Sequence, residues 1–125
     1  MMRLGAQALD LLLACADGRL DQVQVSWAED HALTVVMAAK GYPGSYAKGS
    51  EIRGLSVLPE TAGQMVFHAG TAEKDGRILA AGGRELNVTA RGETLAEAQA
   101  RAYRLVDAID WPEGFCRRDI GWRAL

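Results

Sequence analysis

Cysteine is scarce in this chain: Cys15 and Cys116 are the only two, far apart and in no Cys-x-x-Cys pair. That argues against a secreted disulfide scaffold and against a zinc ribbon. Cys15, inside an apolar run, reads as a small core residue. Histidine is equally sparse. His31 and His68 each stand without a second ligand at metal spacing, His31 read as a solvated turn residue and His68 as a hydrogen-bonded strand residue. Long apolar runs are missing too. The longest covers residues 11–16, against the roughly 20 residues that cross a bilayer. No signal-peptide core follows Met1-Met2-Arg3, so the cytoplasm is the expected compartment. Neither sign of charge dominates. Fourteen Lys and Arg against sixteen Asp and Glu give a net charge of −2, which argues against nucleic acid as a partner. A Walker loop, a dinucleotide fingerprint and a nucleophile–base pair are all lacking. Paired carboxylates occur only in charged turns, at Glu29-Asp30 and at Glu73 near Asp75.

What the chain does have is glycine, 14 of them among 125 residues, and a hydrophobic fraction of 49%. One domain of this size buries roughly two thirds of its unfolded surface and needs no disulfide or metal to fold. The glycines imply tight turns or close backbone approaches.

Residues 7–16 read as a short helix ending at Gly18 in a left-handed conformation. Its leucines cover so much of the circumference that it should be buried against something. Residues 25–28 and 31–40 read as strands around a turn at Glu29-Asp30. Residues 52–58 read as containing a short strand. Residues 65–71 and 77–81 flank Asp75-Gly76, a strong hairpin signal. Gly82-Gly83 marks a bend. The strand over residues 84–91 alternates, with Leu86, Val88 and Ala90 on one face and Asn87 and Thr89 on the other. The clearest element is a helix over residues 95–109, opened by a capping box of Thr94 and Glu97 and stopped by Pro112. The order predicts an α+β fold: a small, mainly antiparallel sheet or barrel-like module, a C-terminal helix packed on it and a short N-terminal helix.

Two segments suggest a binding role. Residues 40–49 hold Gly41, Tyr42, Pro43, Gly44 and Tyr46 between Lys40 and Lys48. Glycine amides can approach an anion, and a lysine adds a point charge. The alternative is a tight loop with its tyrosines on the core. The second segment is Gly82-Gly83-Arg84-Glu85-Leu86-Asn87. It aims a guanidinium off a strand end, where it suits a phosphate or pairs with Glu85 or another carboxylate.

Four ordered blocks carry a resemblance. They are Val35-Val36-Met37-Ala38-Ala39-Lys40-Gly41-Tyr42-Pro43-Gly44-Ser45-Tyr46 with Lys48-Gly49, then Val66-Phe67-His68-Ala69-Gly70-Thr71. Gly82-Gly83-Arg84-Glu85-Leu86-Asn87-Val88-Thr89-Ala90 and Arg117-Arg118-Asp119-Ile120-Gly121 follow. Together they resemble the C-terminal domain of the phosphoribosylamine–glycine ligase (glycinamide ribonucleotide synthetase) family, over roughly residues 9–125.

The resemblance implies part of an ATP-grasp ligase of purine biosynthesis. That enzyme joins 5-phosphoribosylamine to glycine while ATP becomes ADP and phosphate. Its C-terminal domain helps to form the substrate site. In the family, the N-terminal domain and the residues for nucleotide and Mg²⁺ (or Mn²⁺) lie upstream of this domain. The chain is therefore expected to be a detached C-terminal piece, inactive alone, with no catalytic residue, cofactor or metal of its own. Residues 1–22 would be the end of the ATP-grasp domain, and residues 23–125 the C-terminal domain. The implied partners are the ATP-grasp and N-terminal domains and a phosphorylated small-molecule substrate, with no nucleic acid and no membrane. The resemblance also points to Arg84 as the phosphate ligand, with Lys48, Gly41, Tyr42 and Gly44 as helpers. A stand-alone phosphometabolite-binding module and a purely structural remnant are the alternatives.

Overall fold

A computed structural model describes residues 1–58 and 61–125. In chain order the elements are α1 (Ala8–Ala16), β1 (His31–Ala39), β2 (Gln64–His68), β3 (Thr71–Lys74), β4 (Arg77–Ala80), β5 (Arg84–Gly92), α2 (Leu95–Ala108) and β6 (Gly114–Phe115). Four strands form one antiparallel sheet in the order β2-β5-β1-β6, and β3 with β4 forms a separate ribbon. The fold is α+β, as the element pattern predicts.

Strand alternation explains the core. Leu33, Val35 and Met37 of β1 stand opposite Ala90, Val88 and Leu86 of β5, and all six are buried. Against that face lie Ala98, Ala102, Leu105 and Val106 of α2, spaced to form one helical stripe. Thr94 Oγ1 accepts the Glu97 N–H at 3.1 Å. The reciprocal arm of the capping box differs from expectation: the Glu97 carboxylate takes the N–H of Glu93, at 2.8 Å, instead of that of Thr94. The helix ends one residue earlier than predicted, with Ile109 extended.

The hairpin at Asp75-Gly76 forms with φ of 53° and 72°, the two left-handed residues of a type I′ turn. The strand expected over residues 65–71 is instead broken at Ala69-Gly70. Both of those N–H groups turn to the Glu85 carbonyl, so β2 stays in the main sheet and β3 leaves it.

Four other expectations are corrected. Residues 25–28 form no strand, because residues of the N-terminal segment take their polar groups: Ser26 N–H donates to Gln7 Oε1, and Ala28 exchanges hydrogen bonds with Arg3. Residues 52–58 give only a bridge at Arg53 and a 3₁₀ turn over Leu55–Val57. Helix α1 ends as predicted at Gly18, with φ 67° and the Arg19 N–H on the Ala14 carbonyl, a Schellman closure. Its apolar face, however, is uncovered. Leu9 is 64% exposed and Leu12 60%, and only Ala14 of the helix is buried. Cys15, next to Ala14 and about 100° further round the helix, is exposed and not in the core.

Candidate functional site

Two bends meet at one end of the sheet. Ala69-Gly70 joins β2 to β3, and Ala81-Gly82-Gly83 joins β4 to β5. They are laced together through backbone groups. Ala81 and Gly82 donate to the Gly70 carbonyl at 3.0 and 2.9 Å, while Ala69 donates to the Glu85 carbonyl at 2.9 Å. Gly70 and Gly82 lie so close that a Cβ on Gly82 would stand 3.2 Å from the Gly70 Cα.

The loop over residues 40–49 folds against these bends. Gly41 has φ 98°, and a Cβ there would stand 2.2 Å from the Ser45 carbonyl oxygen, so the loop closes only with glycine at that place. It delivers Tyr42 onto Gly83, where a Cβ would stand 2.3 Å from the Tyr42 ring. Tyr46 lies behind, its ring centre 6.0 Å from that of Tyr42 at a tilted 59°. The Arg84 guanidinium sits over the Tyr42 ring, 5.9 Å from its centre. Val36, Tyr42, Ala69, Gly70, Gly83, Arg84 and Asn87 enclose an open cleft of about 520 Å³.

Arg84 forms no ion pair among the described residues; the six that exist use other arginines. The pairing of Arg84 with Glu85 that the sequence allows is not made. Glu85 is fully buried, and its Oε2 accepts the Ala81 N–H at 3.3 Å. Its Oε1 has no partner among the described residues. Burial pushes the Glu85 carboxyl up from its ordinary value, against the pull of the Ala81 and Gly82 N–H groups and the charge of Lys48.

Of the residues singled out in the sequence, Arg84 and Tyr42 come together on the cleft. Gly41 shapes the loop, while Gly41, Gly44 and Lys48 do not line the cleft. Arg53 is held by Asp110 at 2.7 Å. His68 is hydrogen-bonded as expected, Nδ1 to Thr71 Oγ1 at 2.8 Å, although it is exposed. Val36, Ala69 and Gly70 are lining residues to which sequence reasoning gave no role, and Asn87 and Glu85 lie in the segment it singled out without being assigned to the site. Asn87 had a signal, since the alternation of β5 sets it on the face opposite the core.

A larger groove of about 810 Å³ lies between β2, Leu55–Leu58 and Leu105. Its lining is mostly apolar, with His68 the one ionisable side chain, whereas the smaller cleft holds the Arg84 guanidinium. An unpaired guanidinium backed by an aromatic face, beside glycine backbone, is suited to grip an anion through two N–H groups at once. No three His, Cys, Asp or Glu gather to hold a metal ion among the described residues.

The phosphoribosylglycinamide synthetase C-domain family model matches residues 32–123. The phosphoribosylamine–glycine ligase of Brucella melitensis is 58% identical over the whole chain, which covers 29% of that protein. The chloroplastic phosphoribosylamine–glycine ligase of Arabidopsis thaliana is 52% identical over 127 aligned residues, again with all of this chain and 24% of that protein. A crystal structure of the Thermotoga maritima ligase superposes with a TM-score of 0.78 at 36% identity, covering 93% of this chain and 28% of that one. The chain thus spans less than a third of the length of these relatives.

Proposed function

The chain belongs to the phosphoribosylglycinamide synthetase C-domain family, and from that premise we propose that it completes the substrate site of a phosphoribosylamine–glycine ligase. The whole enzyme would join 5-phosphoribosylamine to glycine at the expense of ATP, in purine biosynthesis. Residues 23–125 would form the C-terminal domain, and residues 1–22 the end of the ATP-grasp body. ATP and Mg²⁺ (or Mn²⁺) would be held by the ATP-grasp and N-terminal parts. Phosphoryl transfer needs a metal and a positioned nucleotide, and among the described residues no three His, Cys, Asp or Glu side chains gather to hold a metal.

The observation that carries this reading is Arg84. It stands over Tyr42 at the edge of an open cleft, with no carboxylate partner among the described residues. We assign it the phosphate of the phosphoribosyl substrate, with Tyr42 fixing the guanidinium. Lys48 and the Gly41 and Gly44 backbone act behind it, through the field and the loop shape. The exposed leucines of α1 support a larger assembly around this domain. We assign the domain a cytoplasmic setting, which two free cysteines suit; no helix among the described residues is long and apolar enough to cross a membrane.

The cleft is built wholly from this chain, which also favours a second reading: a stand-alone site for a phosphorylated metabolite. Grafting decides between them. This chain replaces the matching segment of the Brucella melitensis ligase, and turnover of ATP dependent on glycine and phosphoribosylamine is measured. Activity near that of the parent enzyme is expected. A folded but inactive graft overturns the ligase reading.

A further inference from the structure

Glu85 has no part in the reading above, yet it is the one acidic side chain wholly buried among the described residues. It lies directly behind the cleft wall. A Cβ on Gly70, a lining residue, would stand 3.1 Å from Glu85 Oε2, and one on Gly82 would stand 3.5 Å from Oε1. Glycine backbone alone therefore separates the carboxyl from the space beside Arg84. Oε2 accepts the Ala81 N–H, and the Gly82 N–H also pulls on the carboxyl, but Oε1 is enclosed and makes no hydrogen bond of good geometry among the described residues. A buried carboxylate oxygen without a donor is an expensive place for charge and a ready place for a proton.

We propose that Glu85 is the proton-accepting member of the anion site: an anion gripped by Arg84 and a proton taken from solvent by Glu85 Oε1 bind together. The proposal rests on the reading of Arg84 as an anion ligand. Its physical cause is the field. An anion on the far side of Gly70 and Gly83 repels the Glu85 carboxylate through a medium far less screening than water. Protonation removes that repulsion, and the proton rests on the oxygen that lacks a donor. The site would thus bind its anion more tightly as Glu85 is neutralised. Reciprocity requires the anion to raise the affinity of Glu85 for the proton by the same factor.

The other groups facing this carboxyl are few. Lys48 of the loop over residues 40–49 attracts it and holds it toward the charged form. The neighbouring residue Arg84 carries a fixed positive charge, and Tyr42 and Tyr46 lie across Gly83. On the Ala69-Gly70 side the nearest titratable residue in sequence is His68, which is exposed and bound to Thr71.

The test is a carbon-13 NMR titration of the Glu85 carboxyl in this chain, with and without saturating inorganic sulfate at matched ionic strength. Sulfate keeps its charge across the range, unlike a phosphate ester. His68→Gln in every sample removes the imidazole. Sulfate contact is followed at the Arg84 Nε–H signal. The expected result is a Glu85 midpoint raised by sulfate by about one pH unit, a tenfold coupling. Sulfate affinity in Glu85→Gln should then be independent of pH. If sulfate perturbs Arg84 but leaves the Glu85 midpoint unchanged or lowers it, the proton coupling is wrong and the anion site stands. If sulfate does not perturb Arg84, or still shifts Glu85 in Arg84→Ala, the Arg84 reading itself falls, and the coupling with it. Should Glu85→Gln fail to fold, the midpoint comparison decides alone.

Discussion

Tyr42 and Arg84 come from distant parts of the sequence, and the guanidinium of one lies 5.9 Å from the ring centre of the other. The contact exists because Gly83 has no side chain. The Tyr42 ring occupies the space a Cβ would need, 2.3 Å away. Gly83→Ala should therefore expel the ring, destabilise the fold by about 1–3 kcal/mol as overpacking does, and weaken anion binding. Thermal melts and a sulfate titration of the variant check both. A variant that binds and melts like the parent would show that the stack is incidental.

The cap of α2 gives a cleaner stability test. Thr94→Ala removes the oxygen that accepts the Glu97 N–H and should cost about 1 kcal/mol. Denaturant midpoints of the two forms measure it. An unchanged midpoint would mean that the carboxylate of Glu97 on the Glu93 N–H closes the helix without help.

Elements whose sequence signals are local were legible in advance. The hairpin at Asp75-Gly76, the left-handed Gly18 and the Thr94 cap each depend on a few neighbouring residues, and each forms where expected. The failures are tertiary. A run at residues 65–71 reads as one strand until the carbonyl of Glu85 draws off two of its N–H groups. The leucines of α1 read as buried, but the described residues leave Leu9, Leu12 and Leu13 exposed. At the site, Arg84 and Tyr42 were visible by residue type and by glycine context. Glu85 was not: next to an arginine, a glutamate reads as its ion-pair partner. Its burial arises only where the Gly70 and Gly82 bends meet over it.

The exposed leucines themselves carry a prediction. Leu12 is 60% exposed, so Leu12→Ser should change the stability of this chain by no more than about 0.5 kcal/mol. A urea melt reads this directly. A loss of several times that amount would mean that α1 is packed in solution.

The pH dependence has two opposing limbs. The Arg91 guanidinium holds Asp30 below the usual carboxylate range, so its contribution is present above that range and is lost as pH falls through the lowered value. Burial raises Glu85, so its contribution is complete below the ordinary carboxyl range and is lost as pH rises through the raised value. The stability of Glu85→Gln relative to the parent should therefore increase from about pH 5 to pH 8, above the ordinary carboxyl range. Urea midpoints at the two ends show the trend. A constant difference would mean that Glu85 does not titrate in this window.

The most direct measurement of the central claim is Arg84→Lys in the grafted Brucella melitensis ligase. Lysine keeps the positive charge but loses the two-pronged guanidinium. The account predicts a raised Michaelis constant for phosphoribosylamine, an unchanged constant for glycine and a melting temperature close to that of the parent. A variant that melts early, and whose folded fraction takes phosphoribosylamine normally, would contradict it and leave Arg84 a structural residue.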